Sequence, residues 1–214
     1  HDFWPRKKVF VTGHSGFKGS WLSLWLQRLG ADVIGYSLPR PHSNSLFDVA
    51  SVGRNMVSIW GDINDEANLS EQLGEYKPDI VFHLAAQPLV RESYSNPVLT
   101  YMTKVMGTVQ LFEAVRHVNS VRVIVNVTSD KCYQNNEWVW SYRENEPMGG
   151  NDPYSSSKAC SELITTAYRN SFFHFPSSPA LASVRAGNVI GGGDWAADRI
   201  IPDIVRSLVD NRPL

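Results

Sequence analysis

Several features that would mark a secreted, membrane-spanning or nucleic-acid-binding chain are missing from this sequence. Cysteine is scarce: Cys132 and Cys160 are the 2 in 214 residues. That is too few for a disulfide framework, and the pair lacks metal-ligand spacing, so both read as reduced thiols and no metal site is expected. No apolar run approaches the roughly 20 residues that cross a bilayer. Residues 1–8 are polar, without the apolar centre of a signal peptide, so a soluble, cytoplasmic protein is expected. An excess of one charge is missing too. The 20 basic and 21 acidic residues leave a formal net charge of -1. Neither a basic block for nucleic acid nor an acidic tail for a charged partner is present. No internal repeat or low-complexity segment is evident.

What is present is alternation. Short β-branched runs at 9–11, 33–34, 57–59, 80–82, 123–125 and 181–184 read as six strands. Most are apolar on successive positions, the pattern of strands covered on both faces. Helical patterns lie between them. The first sets Phe17, Trp21, Trp25 and Leu29 four residues apart, with Leu22 and Leu26 alongside and Gly30 as the stop. Others run over 67–73, 98–117 and 154–170, and 202–214 opens a further helix. Strand and helix in turn predict an α/β fold, a doubly wound parallel sheet. The polar stretch 138–152, with Gly149 and Gly150, is long enough to serve as a cover over a site.

The first strand runs into Thr12-Gly13-His14-Ser15-Gly16-Phe17-Lys18-Gly19, which opens the first helix. Glycines at such a junction serve a sharp turn, close backbone approach to a pyrophosphate, and tight helix–strand packing. The helix N-terminus then offers its free N–H groups to the anion. An acidic residue is expected at the end of the second strand to bond the ribose hydroxyls of NAD. Tyr36-Ser37-Leu38-Pro39-Arg40 stands there instead. Ser37 suits one ribose hydroxyl and Arg40 a 2′-phosphate, so NAD against NADP stays open on these residues alone. Asp62 and Ile63, after the third strand, are candidates for the adenine edge, a simple turn aspartate being the alternative.

Tyr154-Ser155-Ser156-Ser157-Lys158 puts a phenol and an ammonium four residues apart on one helical face. A nearby cation favours phenolate, so the Tyr154 pKa is expected to fall from about 10. Such a tyrosine takes the proton of an alcohol while hydride leaves the carbon. Ser129 lies upstream, in Ser129-Asp130-Lys131-Cys132-Tyr133 at the C-terminal end of the fifth strand, the edge where parallel sheets place ligands. Asp130 and Lys131 are two ionisable groups side by side, costly as mere structure, a solvated strand end being the alternative. In a regular strand they would point to opposite faces, so a shared role demands a departure from strand geometry.

On these residues the chain resembles the extended short-chain dehydrogenase/reductases that act on nucleotide-activated sugars, and within them the CDP-glucose 4,6-dehydratases. Matches across the wider family are 12–19, Asp62-Ile63, His83-Leu84-Ala85-Ala86, Ser129, Tyr154 and Lys158. The narrower matches are 13–22, 129–133 and 185–195. The resemblance implies bound NAD on Gly13, Gly16, Phe17, Lys18, Gly19, Leu84, Ala85 and Ala86. It implies oxidation of the glucose unit at C4, with Tyr154 as base, Ser129 on the same oxygen and Lys158 on the nicotinamide ribose. Lys131 would then remove the C5 proton, Asp130 would protonate the departing C6 hydroxyl, and hydride would return to C6, giving CDP-4-keto-6-deoxyglucose. By the same resemblance Asn188 and Arg199 grip the nucleotide diphosphate, and Gln87 and Ser93 sit near the sugar. Helices 98–117 and 154–170 form a homodimer interface in relatives. Residues 1–186 would be the NAD-binding domain and 187–214 the start of a substrate-binding domain belonging to a longer enzyme. One departure carries no implied role: Lys104 stands where the family commonly has Asn. The competing functions are a sugar-nucleotide epimerase or reductase, disfavoured by Asp130-Lys131, and a non-catalytic dinucleotide-binding protein, disfavoured by Ser129, Tyr154 and Lys158.

Overall fold

The first strand, β1 (Lys8–Thr12), is buried along nearly its whole length, and its side chains alternate between two cores. Val9 and Val11 join Leu26, Val33 and Ile80 on one face. Phe10 joins Ile34, Tyr36, Val81, Leu111 and Phe112 on the other. A strand apolar on successive positions therefore feeds both faces of a covered sheet. This computed structural model describes residues 2–39, 45–196 and 198–213. Arg40 lies outside the described residues.

Five more strands follow: β2 (Asp32–Ser37), β3 (Val57–Trp60), β4 (Ile80–His83), β5 (Val123–Val127) and β6 (Ala180–Val184). They pair in parallel in the order β3-β2-β1-β4-β5-β6, the doubly wound arrangement expected from the alternation. The helices are α1 (Phe17–Arg28), α2 (Leu46–Val49), α3 (Glu66–Tyr76), α4 (Val90–Ser95), α5 (Pro97–Tyr101), α6 (Gly107–Arg116), α7 (Pro153–Ser171) and α8 (Ile200–Asp210). No helix among the described residues is long and apolar enough to cross a membrane.

Three local differences from the sequence reading have physical causes. The aromatic stripe of α1 does not enter the core: Trp21 and Trp25 are exposed, while Gly19, Ser20, Ser23 and Leu26 are buried. Small side chains let the helix approach the sheet, and the approach is close enough that a Cβ on Gly19 would lie 2.1 Å from the Gly13 carbonyl oxygen. Gly30 does end this helix, at φ +86. The stretch read as one helix over 98–117 is broken by a π-helical turn, Met102–Met106, between α5 and α6. Such turns shift the helical register and concentrate at functional sites. The short α2 and α4 carry too few residues to show a period.

Candidate active site

The chain passes from β1 to β2 on one side, and after β3 it crosses to β4 on the other side of β1; the crevice at this switch is where such sheets receive ligands. Both of its lips are fixed by backbone. Gly13 adopts φ +72, and a Cβ there would meet the Leu84 and Ala85 backbone at 2.8 Å. Thr12 Oγ1 accepts from the Leu84 and Ala85 N–H groups at 3.1 Å and pairs with His83 Nδ1 at 2.7 Å. Burial, and then the charge of Lys158, pushes His83 down to about 3, so its ring is neutral. Ser15 Oγ lies 2.7 Å from Ser37 Oγ and ties the glycine loop to the end of β2. The imidazole of His14 fills the space beside Gly35, with its ring against Phe47 and Trp60. The helix that follows begins at Gly16 with no capping side chain and no acidic residue in its first turn. Its first N–H groups are thus presented to an anion. A glycine-lined cradle against an uncapped helix end fits the pyrophosphate of a dinucleotide.

Phe17 and Lys18 stand at the start of α1, Phe17 facing the backbone of Gly191. Lys18 is lowered from the ordinary lysine value by burial and by the charge of Arg199. Asp62 Oδ1 accepts from the Asn64 N–H and Nδ2 at 2.9 and 3.1 Å, so this oxygen serves the turn that the sequence left open as an alternative. Ile63 is buried against Gly107.

The residues expected to be catalytic meet where α7 passes the end of β5. Asp152 caps α7 through the Ser155 N–H at 2.9 Å, with Pro153 in the first turn. One turn on, Lys158 Nζ donates to the Val127 carbonyl at 3.2 Å. Burial, reinforced by Lys18 and opposed by Glu162, brings Lys158 down to about 8. Tyr154 meets Ser129 in a side-chain hydrogen bond. Its pKa is raised, against the expected fall: burial outweighs the opposing pull of Arg199 and Ser129. The expectation rested on Lys158 as a neighbouring cation, but that nitrogen is engaged on Val127.

At Asp130 and Lys131 the chain departs from strand geometry. Strand β5 has ended at Val127, and Asp130–Cys132 form a single 3₁₀ turn. Ser129 Oγ caps it, accepting from the Lys131 N–H at 3.2 Å and donating to Asp130 Oδ1 at 2.9 Å. The Asp130 N–H donates to the Ala186 carbonyl at 3.1 Å, which ties the turn to the chain beyond β6. Asp130 thereby touches the serine that touches Tyr154. Lys131 is exposed. Cys132 is buried beneath the turn, where desolvation pushes the thiol up to about 11 and keeps it unreactive.

A buried ion pair holds this end of the sheet. Glu162 on α7 accepts from Arg185 Nε and Nη2 at 3.0 Å, from Ser183 at 2.8 Å, and from the Thr128 hydroxyl. Arg185 Nη1 also donates to the Tyr133 hydroxyl and the Glu144 carbonyl at 2.8 Å. The pair thus clamps the irregular 133–152 stretch, whose backbone is further held by Gln134 N–H on the Pro147 carbonyl. Trp138, Val139 and Trp140 stand exposed at its tip.

The four residues assigned to substrate are not gathered equally. Arg199 occupies the N-cap position of α8 without a side-chain capping bond, has its Nε 3.6 Å from Asp194 Oδ2, and acts electrostatically on both Lys18 and Tyr154. Asn188 is exposed in the segment after β6. Gln87 Nε2 donates to Thr100 Oγ1 at 3.3 Å, and the Ser93 hydroxyl, fully buried, donates to the Val90 carbonyl at 2.6 Å. Both side chains are engaged in the protein's own framework. One residue beside Tyr154 went without a role in the sequence reading: Lys104, buried in the π-helical turn, lays its Nζ 3.2 Å from the centroid of the Tyr154 ring. A lysine within a helix that packs on its neighbours was the available signal.

Comparison with known proteins agrees with this geometry. A CDP-glucose 4,6-dehydratase of Salmonella typhimurium is 60% identical over 99% of this chain and 60% of its own length. A UDP-glucose 4-epimerase of Mycolicibacterium smegmatis is 32% identical over 76% of this chain and 51% of its own length. Among solved structures, the UDP-glucuronic acid 4-epimerase of Bacillus cereus in complex with UDP-glucuronic acid and NAD superposes with a TM-score of 0.81 at 25% identity, over 97% of this chain and 64% of that one. The chain thus spans 51–60% of the length of these two curated relatives. The family model described as GDP-mannose 4,6 dehydratase matches residues 10–182, and the chain belongs to that family.

Proposed function

We propose that the chain is the NAD-binding part of a 4,6-dehydratase acting on CDP-glucose. The observation that carries this reading is the 3₁₀ turn at Asp130–Cys132, which takes Asp130 out of strand alternation and sets it on Ser129, beside Tyr154. An oxidation site alone would serve an epimerase equally. The acid and base next to it favour a dehydratase, as does the 60% identity to a CDP-glucose 4,6-dehydratase.

Bound NAD would supply a reversible two-electron acceptor, so no net oxidant is consumed. The residues to hold it are Gly13, Gly16 and Gly19 with the α1 N-terminus at the pyrophosphate, Ser37 near the ribose, and Leu84–Ala86 along the other lip. Tyr154 Oη takes the proton of the C4 hydroxyl, and Ser129 Oγ steadies the same oxygen. Lys131 Nζ removes the C5 proton, made acidic by the neighbouring ketone. Asp130, in its protonated form, gives its proton to the departing C6 hydroxyl, which leaves as water. Lys18 acts electrostatically on Lys158, and Arg199 on Lys18 and Tyr154, so three cations meet at the crevice with Asp194 beside Arg199, a field suited to an anionic diphosphate. We assign 1–186 to the NAD-binding domain and 187–214 to the opening of a substrate-binding domain. The exposed Ile200, Leu208 and Val209 on α8 support further structure there. Exposed Val98, Leu99, Met102 and Leu163 support a second copy of the chain packing on α5 and α7.

The test is to incubate the full-length protein with CDP-glucose. A 4-keto-6-deoxy product without net NADH supports the reading; a C4 epimer, a net change in NADH, or no turnover overturns it.

A further inference from the structure

The 3₁₀ turn that carries Asp130 and Lys131 is held differently at its two ends. On the near side the Thr128 N–H donates to the Val184 carbonyl at 2.9 Å, the Thr128 hydroxyl donates to Glu162, and Ser129 meets Tyr154. Strand β5, from which the turn departs, is paired along both edges, to β4 and to β6. On the far side the chain enters the irregular stretch after Cys132, and the backbone bonds there stay within that stretch. The Gly149 N–H donates to the Cys132 carbonyl at 2.9 Å, and the Gln134 N–H to the Pro147 carbonyl at 2.9 Å. Among the described residues, the hydrogen bonds that return 133–148 to the sheet both come from Arg185, just past β6. Its Nη1 donates to the Tyr133 hydroxyl and to the Glu144 carbonyl, each at 2.8 Å.

Arg185 is a firm anchor for that purpose. Nε and Nη2 donate at 3.0 Å to the two oxygens of Glu162, a paired geometry that fixes the plane of the guanidinium. The same carboxylate takes the Thr128 hydroxyl. One buried pair therefore holds Thr128 before the turn and Tyr133 after it. The guanidinium carbon also lies 4.9 Å from the centroid of the Tyr133 ring, so the ring and the hydroxyl make separate contacts with Arg185.

We propose that Tyr133 is a positioning residue for the elimination step. Its hydroxyl, held by Arg185, fixes the far end of the turn and with it the place of Asp130 and Lys131 relative to the sugar. Ser129 and Tyr154 stand on the near side, on supports that do not pass through Tyr133, so oxidation at C4 is independent of this bond. Displacing a reacting group by about 1 Å costs about 10²-fold, and one lost bond, with the Glu144 contact kept, is expected to cost about tenfold.

This rests on the dehydratase reading, and one experiment separates the two ideas. The full-length protein is given CDP-glucose in heavy water for a single turnover. Bound NADH rises with oxidation at C4 and falls as hydride returns to C6, and deuterium at C5 reports the elimination between them. Tyr133→Phe keeps the ring over the guanidinium and removes only the hydroxyl. In that variant NADH should rise at the wild-type rate and fall about tenfold more slowly, with deuterium entering C5 equally late. Equal slowing of both phases would mean that Tyr133 supports the site as a whole, and two unchanged phases would mean that the bond does nothing for the turn; either result overturns the proposal. Tyr142→Leu removes the ring stacked 5.2 Å from that of Tyr133 without touching the Arg185 bond, and should leave both phases as in the wild type. A slow fall of NADH in this variant would assign the effect to packing within the loop and sink the role of the hydroxyl. A wild-type protein that forms no bound NADH from CDP-glucose ends the dehydratase reading and this one with it, whereas wild-type turnover with an unchanged Tyr133→Phe ends this one alone.

Discussion

Arg185→Leu should destabilise the protein more than any surface change, because it strands a carboxylate in the core. The Glu162 side chain is 4% exposed and Arg185 18%. Removing the guanidinium deletes two donors at 3.0 Å and leaves the hydroxyls of Ser183 and Thr128 to hold a buried negative charge. Breaking such a pair from one side costs about 3–5 kcal/mol. Burial would raise the Glu162 pKa, but hydrogen bonds from Arg185, Thr128 and Ser183 outweigh it and hold the group below its ordinary value. A carboxylate with a depressed folded pKa contributes stability that is present above its unfolded value, about 4.3, and lost as pH falls through the folded one. The gap between wild type and variant should therefore be full at pH 7 and narrow below about pH 4. Urea unfolding followed by tryptophan fluorescence measures it. Adding Glu162→Gln to Arg185→Leu removes the stranded charge and should restore about 1–3 kcal/mol. A single variant within about 0.5 kcal/mol of wild type, or a double variant no better than the single one, would show that the pair does not carry this end of the sheet.

Tyr154→Phe should lower substrate oxidation by about 10²–10⁴-fold with sugar-nucleotide affinity nearly intact, as read by bound NADH and by calorimetry; unchanged turnover would remove it from the site. Gly19→Ala drives a methyl to 2.1 Å from the Gly13 carbonyl oxygen, so the loop must shift. Dinucleotide affinity should drop at least about tenfold and stability by about 1–3 kcal/mol. Unaltered binding would mean that this loop does not approach the pyrophosphate. Lys131→Met, at an exposed position, should leave stability within about 0.5 kcal/mol. In heavy water it should trap bound NADH with no deuterium entering C5, whereas normal dehydration would place the base elsewhere.

The sequence alone determined the architecture and the chemistry-bearing motifs. Six strands lie where β-branched runs predicted them, because a strand covered on both faces must be apolar at successive positions. The glycine run, Ser129 and the Tyr154–Lys158 spacing are local signals, readable because turn and helix geometry act over a few residues. Local spacing misjudged α1, whose aromatic stripe faces outward, since only the sheet says which face of a helix must be thin enough to approach it. The departure of Asp130 and Lys131 from strand alternation awaited the turn after β5, which depends on Ser129 and on the Ala186 carbonyl beyond β6. The ionisation of Tyr154 reversed direction for the same kind of reason: desolvation is set by everything packed around a group, and no neighbour in sequence reports it. Lys104 shows the limit most plainly, 50 positions from the tyrosine whose ring it covers, brought there by one extra residue in a helical turn.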